Sequence, residues 1–252
     1  MKRYSIIFIL LLMIGLSGFA EGIDSLYYKA NVAYNNQYYE DAINNYLKVV
    51  DAGYESADLY YNLGNAYFKN DKIPSAILYY EKALKLKPND EDIRFNLEVA
   101  NTKIVDKIEP VPELFYKVWW RSFYNLFTAN TWAKISSGGF ILFIVLLSFY
   151  LLSQRIRIRK LAFFTGLVIL FFTIFAFGVS YQKYHHLLNK KEAIVFTPTI
   201  TVKSSPNPNS VDLFVIHEGA KVQLKDKVGD WYEIRIANGS VGWLPVSALQ
   251  SI

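Results

Sequence analysis

Two apolar stretches limit what this chain can become. Trp132 to Leu152 reads WAKISSGGFILFIVLLSFYLL, and Leu161 to Tyr181 reads LAFFTGLVILFFTIFAFGVSY. About 20 largely apolar residues suffice to cross a bilayer as a helix. Between the stretches lies SQRIRIRK, residues 153–160, where Arg155, Arg157, Arg159 and Lys160 stand with no acid among them. Lys and Arg concentrate in cytoplasmic loops. The sequence therefore predicts a transmembrane hairpin, helices 132–152 and 161–181, joined by a cytoplasmic basic loop with both outer ends outside the cytoplasm. From Ile135 to Leu152 and from Leu161 to Tyr181 there is no Asp, Glu, Lys or Arg. Charge inside a span is the usual mark of an ion or substrate path, so the hairpin reads as an anchor rather than a transporter.

Composition narrows the chemistry. There is no cysteine, which removes disulfides, thiolate zinc sites, cysteine nucleophiles and lipoprotein anchoring. The three histidines are His185, His186 and His217. Adjacent residues do not share a helix face, and His217 precedes a turn, so no metal site is expected. The net charge of +5 would suit nucleic acid, but its location argues otherwise. Residues 21–110 hold 10 Lys/Arg against 15 Asp/Glu, and residues 192–252 hold 5 against 6. The excess lies at Lys2 and Arg3, in the loop and beside the spans, which is topology charge rather than a phosphate-binding stripe. No P-loop and no G-x-S-x-G motif occurs, so neither an enzyme nor a cofactor is expected.

The chain opens with Lys2 and Arg3, an apolar run from Ile6 to Leu16, and Ser17-Gly18-Phe19-Ala20. A charged start, a short apolar run and a small-residue exit predict a signal peptide over 1–20. An uncleaved anchor is the alternative, and both readings export the domain that begins at residue 21.

Residues 57–90 read ADLYYNLGNAYFKNDKIPSAILYYEKALKLKPND. Tyr60, Leu63-Gly64, Tyr67, Ala76, Tyr80, Ala83 and Pro88 fall where the tetratricopeptide repeat wants an aromatic, Leu-Gly, Tyr, small residues and Pro, and the segment resembles that repeat closely. A weaker copy spans 23–56, with Tyr54 in the place of the Pro. A capping helix is expected over 91–108, completing an all-α domain of five helices over 21–108. Such arrays bind along the surface lined by the first helix of each pair. The resemblance places Tyr27, Asn31, Asp58, Tyr61, Asn62, Asn65, Phe68, Lys69 and Asn96 on that groove. Asn31 and Asn65 would hold a peptide backbone, since amides both donate and accept, and Tyr61 and Phe68 would anchor it. The bland reading is a packed or solvated face. Two repeats form a thin core, which partner binding or assembly into a homo-oligomer would stabilise.

Glu109-Pro110-Val111-Pro112 ends the helical array. The next segment, up to residue 131, holds Trp119, Trp120, Phe123, Tyr124 and Phe127 beside Lys117 and Arg121. Aromatics with basic residues next to a span predict a helix at the lipid interface; docking on a partner's span is the alternative. From 192 to 252 the pattern changes to period two, with five short runs separated by turn signals such as Gly229-Asp230 and Asn238-Gly239. Val202 to Pro206, Glu218-Gly219, Gly229-Asp230-Trp231-Tyr232 and Gly239 to Leu244 make this part similar to a bacterial SH3 domain, a small all-β barrel. Trp231 and Trp243 would form an aromatic ligand surface or fill the core.

The whole order, with VDKIEPVPE, EAIVFTPTITVKSSP, DLFVIHEGAKV and GDWYEIRI, resembles the BatE family of the bacterial aerotolerance (Bat) operon. The resemblance implies a multidomain, multi-pass protein of the bacterial inner membrane with both soluble domains periplasmic. It also implies partners among the operon's other membrane proteins, including von Willebrand A-domain proteins. No catalytic residue comes with it. The function expected is a non-enzymatic scaffold, the alternative being a cell-wall-associated protein or an accessory to a wall hydrolase acting through the SH3-like domain.

Overall fold

The computed structural model describes residues 22–108, 111–112, 114–189 and 191–252. The expected signal peptide lies outside the described residues. The chain forms two compact units: one of the residues up to Val111 together with Lys191–Ile252, the other from Pro112 through the long apolar helices.

The first unit begins with five helices: α1 (22–35), α2 (Tyr39–Asp51), α3 (Ala57–Lys69), α4 (Ile73–Leu86) and α5 (Glu91–Asn101). Local chemistry sets their ends. The Ser56 side chain accepts from Leu59 N at 3.1 Å and that of Asp90 from Ile93 N at 3.2 Å, each satisfying a free first-turn donor. Pro74 occupies the first turn of α4, where its missing N–H costs nothing. The turns after α1, α2 and α3 close the same way. Gln37, Gly53 and Asp71 have φ of 66°, 85° and 57°, and the residue after each donates back to the carbonyl of Ala33, Val49 and Tyr67. Gly53 makes the exit turn for which the first repeat lacks a proline: glycine reaches the left-handed conformation without strain. The core joins Tyr46, Leu63, Ile77, Tyr80 and Ile93, each at most 3% exposed.

The capping helix ends at Asn101 rather than at 108. Lys107 donates to the carbonyls of Asn101 and Thr102, and the chain beyond turns toward the β domain, where Ile108 packs on its core. That domain has seven strands where the sequence suggests five: β1 (Glu192–Val195), β2 (Thr199–Lys203), β3 (Asp212–His217), β4 (Lys221–Val228), β5 (Trp231–Arg235), β6 (Val241–Pro245) and β7 (Leu249–Ser251). The run KVQLKDKVGDWYEIRI breaks at Gly229, and β7 adds to β1. The order is β3-β2-β6-β5-β4-β1-β7, and all pairs are antiparallel.

Strand β1 serves two cores. Successive side chains on a strand point to opposite faces. Ala193 and Val195 enter the β-domain core, while Ile194, fully buried, belongs to the core of the helical repeats. Fully burying such a side chain contributes about 1.5–3 kcal/mol. Around it Lys221 reaches Glu81 at 2.7 Å and Glu192 at 3.2 Å. Asp106 accepts from the His217 amide at 2.6 Å, with the His217 Nδ1 2.9 Å from its other oxygen. Burial pushes the Lys221 ammonium down, but the two carboxylates outweigh it and hold its pKa above the ordinary lysine value.

The second unit holds α6 (Phe115–Tyr124), α7 (Ala129–Leu152) and α8 (Ile156–Asn189). Helices α7 and α8 are long and apolar enough to cross a membrane. The basic loop expected over 153–160 shrinks to residues 153–155, because Arg157, Arg159 and Lys160 lie in the first turn and a half of α8. Their straight side chains are good helix formers, and no Gly or Pro interrupts them. Buried Lys183 ties α8 to the end of α6, donating to Tyr124 O, Asn125 Oδ1 and Phe127 O at 3.2, 3.1 and 2.8 Å. Trp132 packs with Phe123 and Phe127 beside it.

Candidate functional site

Six of the residues placed on the groove by sequence, Tyr27, Asn31, Asn62, Tyr61, Asn65 and Asn96, fall into one kind of hydrogen-bonded cluster that occurs twice; Asp58, Phe68 and Lys69 are not part of it. In the first copy the Tyr46 hydroxyl donates to Asn31 Oδ1 at 2.6 Å, and Asn62 Nδ2 donates to the Tyr27 hydroxyl at 2.8 Å and Asn31 Oδ1 at 3.5 Å. In the second copy Tyr80 donates to Asn65 Oδ1 at 2.7 Å, and Asn96 Nδ2 donates to Tyr61 and to Asn65 Oδ1, both at 2.9 Å. The sequence separations are the same in both. The cluster is thus a property of the repeat: an Asn on one helix, a Tyr hydroxyl from the helix after it, and an Asn from the next repeat. Burial pushes the Tyr46 and Tyr80 phenols up, so both stay protonated donors.

This corrects one expectation. The acceptor oxygens of Asn31 and Asn65 are used inside the fold, so these amides cannot both donate to and accept from a peptide. The second copy opens onto a cavity of about 280 Å³ lined by Tyr34, Tyr61, Asn65, Phe68, Lys69, Tyr80, Asn96 and Val99. Tyr61, Asn65 and Lys69 succeed one another at four-residue steps along α3, a spacing that puts them on one helix face. Asp58 stands apart from the cavity lining and pairs with Lys87 at 2.7 Å on the exposed surface. Tyr80 is the contributor that sequence alone assigns to packing. The signal was available: Tyr recurs at 46 and 80 where Phe would fill the same space, and a buried hydroxyl needs a partner.

Trp231 and Trp243 lie outside the β-domain core and are half-buried. Strand β5 pairs with β6 with Trp231 opposite Pro245 and Glu233 opposite Trp243. Both indoles therefore project from the sheet face away from Ile234 and Leu244, which are fully buried. Lys203, opposite Trp243 on β2, pairs with Asp212. Arg155, Arg157, Arg159 and Lys160 sit around the α7–α8 turn, with the Arg159 guanidinium 5.4 Å from the centre of the Tyr150 ring. Among the described residues no group of three or more His, Asp or Glu is placed to hold a metal.

The architecture is that of an interaction protein: a helical-repeat array, two long apolar helices and an antiparallel, SH3-like β domain. Residues 57–90 match the tetratricopeptide repeat family, and residues 198–250 match the bacterial SH3 domain. No curated protein matches the chain. Both families are interaction modules, which points to protein–protein interaction.

Proposed function

We propose that this chain is a non-enzymatic, membrane-anchored scaffold whose helical-repeat groove holds a segment of a partner protein. The observation that carries the reading is the open cavity over Tyr61, Asn65 and Lys69. The β domain seats on Glu81, Lys85 and the repeat core through Ile194, none of which lines that cavity. Residues before and after the apolar helices share one core, so both flanks lie on the same side of any membrane that α7 and α8 cross. That supports a hairpin, and the Arg155–Lys160 cations favour its turn on the cytoplasmic side. The soluble unit then faces the periplasm of a cell with an inner membrane. The resemblance to the BatE family supports a Bat-type aerotolerance or envelope-stress complex, with von Willebrand A-domain membrane proteins as partners.

Crosslinked capture of the tagged full-length protein from its native membranes, compared with the double variant Asn65→Ala, Lys69→Glu, tests this reading. Recovery of von Willebrand A-domain proteins by the wild type and their loss from the variant is the expected result. Equal recovery by both would remove the groove from the reading. The outward Trp231–Trp243 face favours a second reading, in which the β domain holds the cell wall. Recovery of peptidoglycan fragments without membrane partners would move the function there.

A further inference from the structure

The turn between α7 and α8 carries charge that nothing in its own unit answers. Arg155, Arg157, Arg159 and Lys160 make no ion pair among the described residues, and the chain holds no Asp or Glu from Leu114 to Lys191. Two of the four, Arg159 and Lys160, line a cavity of about 360 Å³ together with Tyr150, Ile156, Phe163 and Phe164. The lining residues of α8 follow one another at steps of three and four, which puts them on one face of the helix. Phe163 and Phe164 stand one turn, about 5.4 Å, further into the apolar part of α8 than Arg159 and Lys160. The Tyr150 ring of α7 lies 5.4 Å from the Arg159 guanidinium and 5.6 Å from the Phe163 ring. Ile156, Phe163 and Phe164 are exposed.

We propose that this face binds an anionic phospholipid, with Arg159 and Lys160 on its phosphate and Phe163 and Phe164 along its acyl chain. The proposal rests on α7 and α8 being a membrane hairpin and adds a ligand to its turn. Cations at the polar end and aromatic rings one turn deeper repeat the order of a phospholipid, head before tail. Charge that only sets topology needs neither a cavity nor that order. Arg meets phosphate through paired N–H donors, and such charge-assisted bonds are roughly twice as strong as neutral ones. Basic pockets at the cytoplasmic ends of membrane helices hold anionic headgroups in this way. A choline or ethanolamine head would bring an ammonium up to Arg159 and Lys160 with no carboxylate to receive it.

The test titrates the detergent-purified full-length protein with phosphatidylglycerol or with phosphatidylcholine and reads the bound lipid by native mass spectrometry. Wild type is compared with two double variants that remove the same charge, Arg159→Gln with Lys160→Gln and Arg155→Gln with Arg157→Gln, each first shown by thermal melting to be folded. The wild type should prefer phosphatidylglycerol. The first double variant should bind it about tenfold more weakly or worse, and the second should bind it as the wild type does. Equal losses in both double variants would overturn the site and leave a general attraction of the basic turn for anions. Displacement of the lipid by inorganic phosphate at like concentration would overturn the lipid and make this a site for soluble phosphate. A wild type that takes both lipids alike would overturn the proposal without any variant. A protein that stays soluble without detergent would overturn the membrane hairpin as well, whereas lipid indifference in a protein that needs detergent overturns this proposal alone.

Discussion

Lys221 in the β domain donates to Glu81 in the helical repeats at 2.7 Å, across a sequence separation of 140 residues that contains both apolar helices. The lysine also holds Glu192 at 3.2 Å. Removing it leaves two carboxylates facing each other at the joint. Lys221→Met should cost about 1–3 kcal/mol, the range for a partly buried charged group left without its partner. Ile194→Ala should cost about 2–5 kcal/mol through the cavity it leaves. Hydrogen exchange of the full-length protein checks both, with α4 and β1 amides exchanging faster than in wild type. Unchanged protection in α4 would mean that the β domain contributes nothing to the repeats.

The buried tyrosines predict an alkaline limit. Burial pushes Tyr60 and Tyr67 from 10.0 up to about 12, and it raises Tyr46 and Tyr80 as well. A pKa raised by folding gives stability that is complete below the unfolded value and is lost as pH rises through the folded one. Lys221, also raised, acts in the same direction. The protein should keep its stability up to about pH 10 and lose it toward pH 12. Phenolate absorbance should show a late-titrating class that disappears once the chain is unfolded in urea.

Gly64→Ala tests the closeness of α3 and α4. A Cβ at this position would come within 2.7 Å of the Tyr80 ring. Tyr80 is buried and fixed by its bond to Asn65, so the ring has little room to yield. Overpacking of about 1–3 kcal/mol should outweigh the gain of up to about 1 kcal/mol from better helix propensity. A lower thermal midpoint for Gly64→Ala is expected; a higher one would show that the ring moves freely.

The absence of cysteine makes topology measurable with single introduced thiols. In intact spheroplasts a membrane-impermeant thiol reagent should label Ser204→Cys and spare Ser153→Cys. Labelling of Ser153→Cys alone would reverse the orientation assigned from the Arg-rich turn, and labelling of both would mean that the two apolar helices do not carry the turn across the membrane.

The parts legible in sequence were those set by local repetition. The spacing of Tyr60, Gly64, Tyr80 and Ala83 reports helix–helix contacts between neighbours in the chain, and the apolar runs report their own length. The inner wiring of the groove was not legible, because whether Asn65 faces solvent or Tyr80 depends on how α3 meets α4. The double role of β1 was hidden for the same reason. EAIV reads as one strand, and nothing local says that Ile194 leaves its own domain. Residues 156–160 misled because four cations in a row of eight residues look like a loop by charge, while their backbone preference is helical.

The seat of Ile194 among the repeat helices also orders the protein's birth. The ribosome delivers α1 to α5 first, yet their core stays incomplete until both long apolar helices have been made and strand β1 has emerged beyond them. The newly made repeats therefore wait with an apolar seat uncovered for all that time. A chain truncated after the second apolar helix would remain in that waiting state and present the seat to chaperones and proteases.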